Sequence, residues 1–199
     1  MAYEKGNGKT AVIALGGNAL GNTPQEQLEL VQNTAKHIVD MIQDGTNVVV
    51  SHGNGPQVGM INNAFAYAAA NDDKTPDMPF PEAGAMSQGY IGYQLSQAIL
   101  NDLKSRDILR STACIVTQTV VDEDDPAFQN PTKPVARSWT RRPPRPRPRP
   151  WHHRQGGRRP RLAPGGRSPI PKRIVEFDAV RDLVEDGYVV VSTGGGGVP

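Results

Sequence analysis

Cysteine is all but missing from this chain. The single residue, Cys114, excludes an internal disulfide and fits a reducing compartment. It sits in an apolar run, 113–116, where a small buried hydrophobe is the favoured reading over a reactive thiol. Long apolar runs are also missing. None approaches the roughly 20 residues that a membrane-spanning helix needs. Met1–Thr10 is polar and carries no apolar core of a secretory signal. A soluble, cytoplasmic protein with no membrane partner is therefore expected. Acidic residues are missing from one stretch only. Between 136 and 167 there is no Asp or Glu, and 11 of the 22 Lys and Arg residues fall there. Without those eleven charges the formal charge goes from +2 to −9. The basic isoelectric point belongs to that segment, so it does not make nucleic acid an expected partner of the whole chain.

What is present alternates. Thr10–Leu15 reads as a buried strand that breaks into Gly16-Gly17-Asn18. Thr23, Pro24 and Glu26 form a capping signal, and Leu28, Val31, Ala35, Ile38 and Ile42 then recur on one helical face. Gly45 stops that helix. Asn47–Ser51 is a second strand. It breaks into His52-Gly53-Asn54-Gly55, with Pro56 opening another helix. A long helix is expected from about Ala83 to Lys104, and a third strand over Ala113–Val121. After the basic segment a short run, Arg173–Phe177, precedes a helix from Asp178 to Asp186. The strand Tyr188–Ser192 follows and ends in Gly194-Gly195-Gly196-Gly197. Alternation of this kind predicts a mostly parallel sheet covered on both faces. Three of the strands end in glycine with small polar residues. In an open α/β sheet the carboxyl ends of the strands form the ligand crevice.

Glycine lets backbone N–H groups approach a ligand closely. Successive N–H groups, with a helix N-terminus behind them, make a nest for an anion. One such loop is weak evidence, since it is as readily a tight turn; three loops that converge are stronger. They suit a small anion with several oxygens, a phosphate or a carboxylate. Gly6-Asn7-Gly8-Lys9-Thr10 imitates the tail of a P-loop, but Tyr3 stands where that motif needs glycine, and a strand follows it instead of preceding it. No G-x-G-x-x-G is present. His52 adjoins the second glycine loop and serves more readily to shape it than to catalyse. His37 is read as structural, and His152-His153 have no acidic or Cys partner nearby, so no metal site is expected. Ser87, Gln88 and Tyr90 are read as helix packing before substrate contact. Lys133, between Pro131 and Pro134, is either a solvated surface lysine or an ammonium held stiffly enough to neutralise a transferring phosphoryl group.

Taken together, these stretches resemble the carbamate kinases of the amino-acid-kinase family. The resemblance rests on Ala14–Leu20, Ser51–Gly59, Gly84–Tyr93, Asn130–Pro134 and Gly194–Pro199. It implies an α/β three-layer sandwich, a cytoplasmic homodimer, and phosphoryl transfer between carbamoyl phosphate and ADP to give ATP and carbamate. The usual setting of such enzymes is the end of arginine fermentation. Gly16, Gly17, Asn18, Gly53, Asn54 and Gly55 would cradle carbamate and the transferred phosphate. Lys133 would reach in from a protruding subdomain, and Gly194, Gly195 and Gly196 would close the substrate side. ATP or ADP with Mg2+ is implied, but the half of the family's chain that seats the nucleotide has no counterpart before Pro199.

The expected organisation is thus a substrate-binding α/β domain over 1–135, an irregular basic segment over 136–167 in place of part of the subdomain, and a return of the domain over 168–199. Two functional classes follow: a carbamate kinase domain, inactive in this form, or a kinase-like anion-binding module whose basic arm grips a polyanion. A kinase that phosphorylates an amino acid is disfavoured by Gly84–Tyr93 and Asn130–Pro134. The basic segment does not resemble the family and is expected to be poorly ordered. A shifted reading frame explains it best. His152–Gly157 can be encoded so that a one-base shift gives Thr-Ile-Ala-Lys-Glu, a normal helical run, whereas a natural Pro/Arg linker needs no shift. Sequencing the gene across codons 130 to 199 should restore a family-like frame within 136–167. An unbroken confirmation of the present codons would leave the linker in place.

Overall fold

A computed structural model describes residues 6–16, 20–21, 23–72, 74–130, 133–134, 165–192 and 194. Four strands form the central sheet: β1 (Thr10–Leu15), β2 (Asn47–His52), β3 (Thr112–Cys114) and a later strand, β8 (Val189–Val191). Between them come α1 (Pro24–Gln43), α2 (Gly55–Ala69), α3 (Phe80–Ser105) and α4 (Phe177–Glu185). Two small antiparallel pairs complete the described chain: β4 (Thr119–Val120) with β7 (Arg173–Ile174), and β5 (Lys133–Pro134) with β6 (Gly165–Gly166).

The sheet order is β1-β2-β8-β3, and all three pairings are parallel. Parallel strands need crossovers, and the helices supply them on both faces. The register places Ile13, Val50, Val191 and Cys114 in one row across the sheet. On that face α1 and α3 bury Val31, Ala35, Ile38, Leu95 and Ile99 against Val48, Val50, Val189 and Val191. The adjacent row, Val12, Val49, Val190 and Ala113, meets the opposite face. There α4 lays Val180 and Val184, one helical turn apart, on Val190. That helix packs on β8 and β2, and among the described residues Val12 of β1 is left 71% exposed.

The start of α1 follows the capping signal. Thr23 Oγ1 accepts from the Glu26 N–H at 3.2 Å, and the Glu26 carboxylate accepts from the Thr23 N–H at 3.3 Å. Its buried stripe is Val31, Ala35, Ile38, Val39 and Ile42, as the periodicity predicts, except at one end. Leu28 is 45% exposed, and Gln27 is buried in its place. The first turn of α1 lies against the chain entering from β1, where backbone polar groups ask for an amide and not an isobutyl group.

The expected third strand, Ala113–Val121, splits in two. Only Thr112–Cys114 joins the main sheet; Thr119–Val120 pairs elsewhere. The break is at Thr117, whose N–H donates to Gln88 Oε1 at 2.9 Å while its carbonyl accepts from Gln88 Nε2 at 3.0 Å. A residue whose two backbone groups are both engaged by one side chain cannot continue a ladder. Cys114 also departs from expectation. It lies on an edge strand and is exposed, with its sulfur directed at Gly92 of α3. Desolvation there pushes the thiol pKa up, which disfavours the reactive thiolate.

No described helix is long and apolar enough to cross a membrane. The basic segment lies outside the described residues up to 164, and its frame-shift and disorder readings lie there with it. Leu95 is fully buried at the α1–α3–sheet contact. Leu95→Ala should lower unfolding free energy by about 2–5 kcal/mol, read as a lower urea midpoint at unchanged m-value.

Candidate functional site

Because β1, β2 and β8 are neighbours and parallel, their carboxyl ends reach the same edge of the sheet. Leu15 is in register with His52, and Val50 with Val191. The three glycine-rich exits therefore stand side by side. The first two are tied directly: the Gly53 N–H donates to the Leu15 carbonyl at 2.8 Å. Gly16, Gly53, Asn54, Gly55 and Gly194 are the predicted site residues that the structure describes here. Gly17, Asn18, Gly195 and Gly196 lie outside the described residues. Lys133 has its backbone in β5, paired with Gly166, and its side chain is likewise outside the description.

Gly16 and Gly55 have a common property. Among the described residues, a methyl group added at either would meet nothing within 4 Å, and neither residue has a positive φ.

Asn54 is the N-cap of α2, yet its side chain does not cap the helix. Its Nδ2 donates to Ser87 Oγ of α3 at 2.8 Å. The first-turn N–H groups of Gly55 and Gln57 have no intrahelical acceptor by construction, and they sit beside the loop with the positive end of the helix dipole. Together these features can hold an oxyanion through backbone donors.

His52 closes the floor. It is 6% exposed at the end of β2. Its Nδ1 lies 3.1 Å from the Gly53 carbonyl, which only accepts, so Nδ1 carries the proton. Desolvation lowers its pKa, and the Gly53 bond opposes this more weakly, which favours the neutral ring. Its Cε1–Nε2 edge abuts Gly194: a Cβ there would fall 2.1 Å from Cε1 and 2.2 Å from Nε2. Close approach of the His52 ring explains the glycine at 194.

Comparison with known proteins now bears on this arrangement. The model of the amino acid kinase family matches residues 9–199. The chain belongs to that family. A carbamate kinase of Staphylococcus haemolyticus is 48% identical over 192 residues, which cover 94% of this chain and 61% of that protein. One from Staphylococcus epidermidis is 47% identical over the same shares. Among solved structures, a carbamate kinase from Giardia lamblia bound to AMP-PNP superposes with TM-score 0.79 at 36% identity, covering 96% of this chain and 62% of its own. The chain thus spans about three-fifths of the length of these relatives.

In this member of the amino acid kinase family, several residues that support the candidate site carry no local sequence signal for it. The Gly21 carbonyl, at the far end of the first loop, is approached by Gln27 Nε2 at 3.4 Å and Gln57 Nε2 at 3.5 Å. Gln27 in turn accepts from the Tyr90 hydroxyl. Gln27 and Tyr90 lie 63 positions apart, so no local pattern could have linked them. Ser87, Gln88 and Tyr90 do more than pack: each bonds a group outside its own helix. Among the described residues no cluster of three His, Cys, Asp or Glu is placed to hold a metal. For the floor, Gly194→Ala should destabilise by about 1–3 kcal/mol through overpacking. The double variant His52→Ala/Gly194→Ala should be less destabilised than the sum of the two single changes, measured as thermal midpoints.

Proposed function

We propose that this chain is the substrate-binding part of a carbamate kinase, which transfers a phosphoryl group between carbamoyl phosphate and ADP to yield ATP and carbamate. The observation that carries this reading is the row of parallel strands whose glycine-bearing ends meet at one edge of the sheet, with the Gly53 N–H bonded to the Leu15 carbonyl and Gly194 against His52. The carbamate kinases among its relatives supply the choice of substrate.

Carbamoyl phosphate is a small anion with oxygens at both ends, and a cradle of backbone N–H groups suits it. In this reading Gly16, Gly17, Asn18, Gly53, Asn54 and Gly55 hold the carbamate and the phosphoryl group. Gly194, Gly195 and Gly196 close the side next to β8. Lys133 brings a positive charge to the phosphoryl oxygens. Such a transfer asks the protein for little covalent chemistry. The phosphoryl group must lie in line between its donor and acceptor oxygens, and its charge must be spread over fixed donors. ADP and Mg2+ are partners of the reaction by relationship. The described residues show no acidic cluster fitted to a metal, so no step is assigned through one. A homodimer, a cytoplasmic location and a place in arginine breakdown belong to the same proposal.

Binding is the appropriate readout, because the chain spans about three-fifths of its relatives. Calorimetric titration of the full chain with carbamoyl phosphate should show saturable binding. Gly55→Ala should weaken it about tenfold or more, while Ala at the first helical position leaves the thermal midpoint unchanged or slightly raised. Absence of binding to the unaltered chain, or an unaltered affinity in Gly55→Ala, would sink the reading.

A further inference from the structure

One turn of α3 carries three buried or half-buried polar side chains, Ser87, Gln88 and Tyr90, in a helix that otherwise buries apolar and small residues. Burying polar groups is costly unless each is bonded, and each of these is. Their partners are the notable feature. Ser87 bonds the chain leaving β2 and Gln88 the chain leaving β3, while Tyr90 bonds Gln27 of α1, whose amide in turn approaches Gly21 of the chain leaving β1.

Ser87 is fully buried, and its hydroxyl donates to the Gly84 carbonyl at 2.6 Å. That uses its one proton. Toward Asn54 it can only accept, so the Asn54 amide must turn its nitrogen to α3 and its oxygen away. A hydroxyl three residues into the helix from Gly84 thus decides which way a loop amide faces. Tyr90 donates to Gln27 Oε1, which leaves the Gln27 nitrogen directed at the Gly21 carbonyl. Gln88 takes both backbone groups of Thr117 and the Thr117 hydroxyl besides.

We propose that the Ser87–Tyr90 turn of α3 is a positioning device for the anion site. Ser87 orients Asn54, Tyr90 acts through Gln27 to seat the end of the first glycine loop, and Gln88 pins the exit of β3. The device rests on the proposed carbamoyl phosphate reading for its purpose, but not for its mechanics. A rigid helix, buried along its length against the sheet, sets the separation of loops that could otherwise drift independently. Cradle width is then a property of α3, and the loops need no stiffness of their own. The three residues act through Asn54, Gly21 and Thr117.

The test uses the full chain and three variants that change little volume: Ser87→Ala, Ser87→Cys and Tyr90→Phe. Hydrogen exchange of the backbone amides, and of the Asn54 side-chain amide by NMR, reads the mechanics. Calorimetric titration with carbamoyl phosphate reads the purpose. Ser87→Ala and Ser87→Cys should speed exchange at 53–55 and at the Asn54 amide but leave Gly21 alone. Tyr90→Phe should do the reverse. Each should weaken affinity about five- to tenfold, the scale of one lost hydrogen bond. Ser87→Cys keeps the volume but accepts poorly, so a variant that behaves like wild type would assign Ser87 to packing and overturn its role. Tyr90→Phe combined with Gln27→Ala should be non-additive, whereas Tyr90→Phe with Ser87→Ala should be additive. Unchanged exchange in all three variants overturns the device. Faster exchange with unchanged affinity overturns its role in positioning. If the unaltered chain binds no carbamoyl phosphate, the functional reading fails, and the device then stands or falls on the exchange pattern alone.

Discussion

Parallel pairing of β2 with β1 on one side and β8 on the other is the constraint from which the candidate site follows. Antiparallel neighbours would send alternate strand ends to opposite edges. Parallel ones send every exit to the same edge, and here three adjacent exits are glycine-rich. Register completes the arrangement. Leu15 stands opposite His52, so the Gly53 N–H meets the Leu15 carbonyl and the first two loops begin at the same height. The insertion of β8 between β2 and β3 then brings Gly194 onto the His52 ring.

Stability and site geometry are supplied by the same helices. Helices α1 and α3 bury the apolar face of the sheet, and removing that much aliphatic surface from water is the main favourable term in such a core. Where those helices approach the strand ends, their buried residues change from aliphatic to amide and hydroxyl. Gln27 replaces a leucine in the α1 stripe, and Ser87 and Gln88 lie on α3 one turn before Ile91 and two before Leu95. The polar end of the core is where the backbone leaves its ladder, and exposed N–H and C=O groups there need partners. Surface ion pairs add comparatively little. Arg106 joins Asp40 at 2.6 Å and Asp102 at 2.8 Å, linking the end of α3 to α1, but a partly exposed pair of this kind is a modest term.

Away from the crevice, the chain after β3 is held by carboxylates. Asp125 accepts from the Ala127 N–H at 2.8 Å and from the Ile170 N–H at 2.9 Å, and these bonds hold its carboxyl below the usual range. Glu176 accepts from the Gln118 N–H at 2.7 Å. These contacts bring 118–127 together with 170–176, on either side of the basic segment.

The amino-acid sequence alone determined the local features: the capped start of α1, its stripe from Val31 to Ile42, the glycine exits, and the parallel class of the sheet. The first three depend on residues within a few positions of one another, where spacing and backbone preference act directly, and the parallel class follows from the alternation of strands and helices along the chain. The resemblance to carbamate kinases was likewise carried by short, contiguous runs. The tertiary structure decided what depends on distant partners. It split Ala113–Val121 at Thr117, because Gln88, 29 positions away, takes the backbone bonds that a strand would need. It exposed Leu28 and Cys114, because exposure depends on which neighbour lies over a residue and not on the apolar run that contains it. It also ordered the strands β1-β2-β8-β3 and so brought three glycine-ended strand exits to one edge of the sheet. Strand order is a matter of which hydrophobic faces meet across the whole chain, and no local pattern records it.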